Sequence, residues 1–434
     1  MCGMDKESVD LIYLDPPFNS NKNYSAPVGS DAAGAAFKDT WTLSDVDLAW
    51  HGEIAEKEPA LYQVIDAAGM SHGKGMKSYL IMMTVRLLEM KRILKPTGSI
   101  YLHCDDTASH YLKALMDSVF DKDNFQNEIV WQRTTSRSSG KKFGRVNDKL
   151  LFYTLGKKYT YNAQYQPLSS GGLAPYRHVD EDGEKYTLDN VAAPGNNGYF
   201  YDFGVGEKTP ARGYRMPWKT AQEMLANNTL VVKAGSVPRR KRYLKDSKGA
   251  KVNDVITDIK VLSSHSKERT GYPTQKPLAL LERIIKASSN EGDVVFDPFC
   301  GCATTLVAAE KLNRKWAGID LSPVAANLIR QRLKEIVDVE IIVRTDTPRL
   351  HDGKKLPHYR THKHTLFGKQ EGHCNGCKVS FPFRNMTVDH VIPQVEGGSH
   401  HVDNLQLLCG ACNSTKGKRS QEYLIVKLKE NKII

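Results

Sequence analysis

Four cysteines fall into two pairs of equal spacing, Cys374-x-x-Cys377 and Cys409-x-x-Cys412. Four soft thiolates so arranged are the donor set of one tetrahedral zinc, which can hold together a segment too short to build much core of its own. Cys2, Cys104, Cys300 and Cys302 show no such pairing, so cysteine usage points to metal in a reducing cytoplasm rather than to disulfides. Elsewhere, three acidic residues each close an apolar run. Asp15 opens Asp15-Pro16-Pro17-Phe18, Asp297 opens Asp297-Pro298-Phe299-Cys300-Gly301-Cys302-Ala303-Thr304-Thr305, and Asp320 ends Gly318-Ile319-Asp320. Loops at the carboxyl ends of strands are where open α/β sheets keep their ligands. Small residues running into a helix let a ligand approach the backbone and meet unpaired amides, and a carboxylate ending the next strand can accept from ribose hydroxyls. Each signal also has a plainer reading: a rigid Asp-Pro-Pro turn, an ordinary strand-to-helix turn, and a cap for the helix after Pro323. The three in register are less easily dismissed.

The elements that must position these residues follow from periodicity. An apolar run at Leu11 to Leu14 predicts a strand, and Leu80, Met83, Leu87, Met90 and Leu94 form one stripe of a predicted helix over 79–94 that Lys95-Pro96-Thr97-Gly98 should stop. A strand over 99–103 and a helix over 109–120 repeat the alternation, which predicts a parallel sheet with helices on its faces. From Trp131 to Arg269 the composition turns aromatic, Gly-rich and basic, with no clear helical period. Alternation resumes with a predicted helix over 278–286, strands over 293–296 and 316–319 with a helix after Thr304 between them, and a helix over 323–336. The expected organisation is an α/β domain in two halves, 1–130 and 271–343, around an insert at 131–270, then a polar linker at 344–370 and the cysteine module at 371–434.

The chain of 434 residues is long enough for two or three domains, and its 40% hydrophobic content is ordinary for a soluble globular protein. No apolar run reaches the ~18 residues of a membrane span, and no cleavable leader is seen, so nothing points to a membrane or to export. The net charge of +12 suits a polyanionic partner. From Arg344 onward 15 Lys and Arg face 8 Asp and Glu, which makes the tail a candidate DNA-contacting region. Arg133, Arg137, Lys141, Lys142 and Arg145 are further candidates for gripping phosphate or reading guanine, although most such charges are simply solvated.

Over residues 8–335 these motifs resemble the amino-methylating DNA methyltransferases, in the permuted class whose catalytic loop precedes the cofactor loop with a target-recognition insert between. The resemblance implies a Rossmann-like sheet, S-adenosylmethionine as cofactor and double-stranded DNA as partner, and it permits a homodimer. It makes Asp15, Pro16, Pro17 and Phe18 catalytic. It assigns the methionine part of the cofactor to Asp297, Pro298, Phe299, Gly301 and Thr304, and the ribose to Asp320. Thr274-Gln275-Lys276-Pro277 looks like the family's further cofactor-contacting segment, through Lys276 and Pro277. An exocyclic amine is a poor nucleophile until acceptors hold its hydrogens. Asp15 and the Pro16 carbonyl can be those acceptors, on a loop stiffened by two prolines, while Phe18 stacks on an extruded base. Asp at the first tetrad position accompanies adenine N6 in the family and Ser accompanies cytosine N4, so adenine is expected, with cytosine N4 as the alternative. Two departures stand out. The first strand begins only about ten residues into the chain, where relatives have a further strand and acidic turn, so a missing sheet edge or a truncated chain is expected; and Ala303 occupies a position that is often Gly.

Residues 371–420 resemble the HNH nucleases, a small zinc-stabilised ββα-metal unit. The resemblance implies that His390 activates water, that Asp389 and Asn413 hold magnesium or a similar ion, and that Asn404 fixes the loop carrying His390. Asn413 stands where many relatives have His. The competing readings are a restriction-type endonuclease that uses the methyltransferase fold for recognition, and a zinc knuckle that binds DNA without cutting it.

Overall fold

The computed structural model describes residues 1, 4–19, 22–25, 30, 36–39, 48–135, 141, 143–263, 265–320, 322–334, 342, 362–393, 395 and 404–434. Seven strands form the large sheet: β1 (Val9–Leu14), β2 (Leu94–Cys104), β3 (Phe125–Gln132), β4 (Asn147–Thr154), β5 (Val255–Ile256), β6 (Val294–Asp297) and β7 (Lys315–Gly318). Their spatial order is β5-β3-β4-β2-β1-β6-β7. β1 is central and parallel to both neighbours, β2 and β6, and it is apolar on both faces, as a strand covered by helices must be. Its one charged residue, Asp10, accepts the Val294 amide at 2.9 Å and the Lys95 ammonium at 2.7 and 2.8 Å, which ties the starts of three strands together.

Alternation along the strands divides the core in two. Ile12, Leu14, Ile100, Leu102 and Phe296 face α2 (Pro59–His72), α3 (Lys74–Ile93) and α4 (Ser109–Phe120), which follow α1 (Leu48–Lys57). Leu11, Tyr13, Tyr101, Trp131 and Val295 face α5 (Leu278–Ser288) and α6 (Thr304–Lys311), to which α7 (Pro323–Lys334) succeeds.

Several expectations are corrected. The sheet is mixed rather than all parallel, because β4 pairs antiparallel with both β2 and β3. The predicted helix does stop just before Lys95-Pro96-Thr97-Gly98, at Ile93, but those four residues lie inside β2, where the register with β1 jumps from Val9↔Leu94 to Leu11↔Ser99. That irregularity accommodates a proline that a regular ladder would exclude. Trp131 is a core residue of β3, and the second compact unit is Ala163–Asn253, narrower than 131–270, because the flanking segments complete the large sheet. This unit contains an antiparallel sheet of Leu230–Val231, Arg239–Tyr243, Lys185–Asn190 and His178–Val179, a helix Trp218–Ala226, and an aromatic cluster of Tyr201, Phe203, Tyr214 and Trp218. Arg137, Lys142 and most of the expected linker lie outside the described residues. Among those described, no helix is long and apolar enough to cross a membrane.

The cysteine module consists of α8 (Lys363–Lys369), β8 (Met386–His390), β9 (Leu405–Cys409), α9 (Gly410–Lys416) and α10 (Gln421–Glu430). Residues 363–369, expected in the linker, form a helix that gives Leu366 and Phe367 to the module's core, where they pack with Phe383, Met386, Leu407, Leu408 and Leu424. The module rests on the methylase-like half through α8 against α1. Phe367 lies 5.8 Å from both the His51 and the Tyr62 rings, and Lys74 pairs with Glu371 at 2.9 Å. Burial lowers the His51 pKa to about 4, so this interface carries a neutral imidazole. A Cβ on Gly52 would lie 2.5 Å from the His364 Cα, so the two helices meet where no side chain fits. Gly52→Ala is therefore expected to cost about 1–3 kcal/mol by overpacking, read as a fall in the denaturation midpoint of the full chain; an unchanged midpoint would show that the helices yield freely.

Candidate functional site

Parallel pairing of β1 with β6, Leu11↔Val295 and Ile12↔Phe296, puts the loops that follow the two strands side by side at one sheet edge. Asp15 leaves β1 there, and Asp297 is the last residue of β6. Lys276, which precedes α5, forms an ion pair with Asp15 Oδ2. Asp15 Oδ1 is buried and has no hydrogen-bond partner among the described residues. Asp297 is 2% exposed and accepts the Phe299 amide at 2.9 Å and the Thr305 hydroxyl at 2.6 Å. Burial, reinforced by Asp15 and Asp320 and opposed by those two hydrogen bonds, pushes its pKa up to about 7.

The small-residue loop is built for close approach. Gly301 has φ +48° and Ala303 φ +63°, and a Cβ on Gly301 would stand 3.0 Å from the Tyr272 ring. Ala303 is fully buried in a left-handed conformation that glycine adopts without strain. Asp320 accepts the Gly301 amide at 2.9 Å and the Ser322 amide at 2.7 Å, so it braces the loop and also caps the turn into α7. Thr304 begins α6, with its hydroxyl 3.5 Å from Cys302 Sγ. The acidic ends of β1 and β6, the Asp320 turn, Lys276-Pro277 and the small-residue loop thus share one region of one sheet edge.

Sequence reasoning missed what supports Phe18. Its ring stacks on His103 at 5.9 Å and 27°, and His103 has no solvent exposure. The imidazole is held by the Tyr13 hydroxyl at 2.8 Å and by Asp148 at 3.3 Å, with Trp131 set edge-on at 5.8 Å. Asp148 in turn meets Arg133 at 3.2 Å. Burial would raise the Asp148 pKa, but His103, Arg133 and Lys276 outweigh it and lower it; burial and three carboxylates hold the Tyr13 phenol well above its usual value. Arg133 is thereby engaged with a buried carboxylate, although it reads in sequence as one of a basic cluster. The available signal was alternation: Tyr13, Tyr101 and His103 share a strand face with apolar neighbours.

In the C-terminal module the four Sγ atoms of Cys374, Cys377, Cys409 and Cys412 lie within 4.8 Å of one another, which fits a tetrahedral zinc. Asn404 accepts the Ile392 amide at 2.9 Å and donates to the Ile392 carbonyl at 3.1 Å, clamping the turn just after His390. Asp389 Oδ2 receives Gln406 Nε2 and the Lys416 ammonium, each at 3.0 Å, and Lys416 also donates to the His390 carbonyl at 2.8 Å. Lys416 is 1% exposed, so this cation is an internal part of the site. Asn413 lies on α9, its carbonyl accepting the Gly417 amide at 2.9 Å.

The DNA methylase family pattern matches residues 9–331. The chain belongs to the DNA methylase family. An HNH endonuclease pattern matches residues 374–429. The type II methyltransferase M.EcaI of Enterobacter cloacae is 36% identical to this DNA methylase over 336 residues, 76% of this chain and 65% of the relative. The StyLTI Mod subunit, a type III restriction-modification enzyme component of Salmonella typhimurium, is 26% identical over 334 residues, 72% of this chain and 48% of the relative. The DNA adenine methyltransferase YhdJ of Escherichia coli is 26% identical over 323 residues, 73% of each chain. The chain thus spans 65% and 48% of the length of the first two of these relatives.

Asp297 makes the stability of this methylase pH-dependent. Its folded pKa of about 7 lies above the usual 3.8, so the folded protein keeps a proton that the unfolded chain has lost, and stability from this group falls as pH rises between those values. As pH rises from about 4 to about 7, Asp297→Asn should gain in melting temperature relative to the parent, and the gain should level off above that range. A constant difference across that range would refute the assignment.

Proposed function

We propose that the chain transfers a methyl group from S-adenosylmethionine to N6 of adenine in double-stranded DNA. The observation that carries this reading is Asp15 Oδ1: a buried carboxylate oxygen, without a donor among the described residues, beside the loop that opens α6. Such an acceptor suits an amine hydrogen, and with the Pro16 carbonyl it draws the amine lone pair out of conjugation with the ring. Phe18, backed by His103, supplies a stacking surface for the extruded base and offsets part of its unstacking cost. The left-handed Gly301 and Ala303, the buried Asp297 and the braced Asp320 suit a nucleoside carrying an amino acid: Asp320 for the ribose, and Asp297, Pro298, Phe299, Gly301 and Thr304 around the methionine part. When bound, S-adenosylmethionine would supply an electrophilic methyl group on a cationic sulfonium; the amine nitrogen would bond to that methyl in line as the carbon–sulfur bond breaks, a neutral thioether would leave, and the proton shed by the nitrogen would pass through its acceptor Asp15 Oδ1 to water. Asp at the tetrad's first position, and a relative named as an adenine methyltransferase, favour adenine over cytosine N4.

A second activity, hydrolysis of a DNA phosphodiester by the C-terminal module in the cytoplasm, is supported by the HNH match and by the clamp of Asn404 on the turn after His390. Here His390 would activate water, and Asp389 with Asn413 would hold a divalent ion that shares Asp389 with Lys416.

Purified protein given radiolabelled cofactor should label duplex DNA, and Asp15→Ala should lower kcat by about a hundredfold or more; transfer at the parental rate would remove the tetrad from the mechanism. Sequencing that DNA identifies the modified base. His390→Ala should abolish magnesium-dependent cutting and leave labelling intact; undiminished cutting by the variant would exclude His390 as the base.

A further inference from the structure

The cation that meets Asp15 comes from a loop built with care. Thr274 has φ +62°, a left-handed conformation unusual for a β-branched residue, and its carbonyl accepts from Lys276 Nζ at 3.3 Å. Gln275 locks the loop to itself: its side-chain oxygen accepts the Thr270 amide and hydroxyl, both at 2.9 Å, and its nitrogen donates to the Glu268 carbonyl at 2.8 Å. Glu268 then caps the first amide of α5, Leu278, at 2.6 Å. Lys276 emerges from this brace 9% exposed, paired with Asp15 and with Nζ 5.4 Å from the centre of the Phe18 ring. Apart from the Thr274 carbonyl of its own loop, its ammonium meets Asp15 and Phe18, which belong to the tetrad loop.

We infer that Lys276 is a positioning residue for the tetrad rather than a cofactor ligand. It anchors Asp15 Oδ2, so that Oδ1 alone is presented to the amine, and it counters the charge of Asp15 near Asp297 and Asp320. A carboxylate with one fixed oxygen cannot rotate its acceptor away from the amine, and orientation of this kind acts on turnover more than on binding. This inference rests on the methyl-transfer reading above, but the ion pair can be tested without it.

Two measurements on the full chain decide the matter. In kinetics at saturating cofactor, Lys276→Met should lower kcat by about a hundredfold, Lys276→Arg should recover a part, and the Kd for labelled S-adenosylmethionine by equilibrium dialysis should change by less than about threefold. A Kd raised in step with a near-parental kcat would make Lys276 a cofactor ligand and overturn the inference. In a thermal cycle of Lys276→Met, Asp15→Asn and the double variant, the single Lys276→Met strands the Asp15 carboxylate without its cation in an acidic site, so the double variant should melt above it. Additive shifts would show that the pair has no energetic role and would equally overturn it. Should the parent label no DNA, the methyl-transfer reading fails while the thermal cycle still judges the pair.

Discussion

The parallel seam between β1 and β6 is the constraint on which the remainder of the molecule depends. Two segments from opposite ends of the methylase region become neighbours there, and their carboxyl ends bring Asp15 and Asp297 to one sheet edge. Asp10 secures the seam from below by binding Val294 and Lys95, a charged residue tolerated in an apolar strand because each of its oxygens is satisfied. A strand slipped by one residue would exchange the faces of Tyr13 and Leu14, and with them the support of Phe18 and the packing against α3.

Around that seam, charge is managed by pairing and by neutralisation. Asp15 is held by Lys276, Asp148 by His103 and Arg133, and Asp320 by two backbone amides, whereas Asp297 has no cation paired with it among the described residues and burial pushes its pKa up to about 7. Acidic groups this close together repel one another less when they are not all charged at once. Phe18 stacked on His103, with Trp131 edge-on behind the imidazole, gives the tetrad a buried floor.

The C-terminal module follows a different economy. Its apolar core is small, and four cysteines, a buried lysine and the α8 helix borrowed from its N-terminal side complete it. Because α8 packs against α1 through Gly52, the module is seated on the methylase rather than trailing from it.

The sequence alone determined that acidic and small residues follow apolar runs, that strands and helices alternate, and that two Cys-x-x-Cys pairs offer one four-sulfur donor set, since each is written in local patterns. Tertiary structure decided that β3 and β4 extend the sheet into the presumed insert, that Lys95 to Gly98 belong to a strand, and that Lys276, His103 and Lys416 serve Asp15, Phe18 and Asp389. The reason is physical. Periodicity reports which face of an element is buried, but a partner's identity depends on which strands lie side by side, and a buried charge is explained only by the distant group that neutralises it.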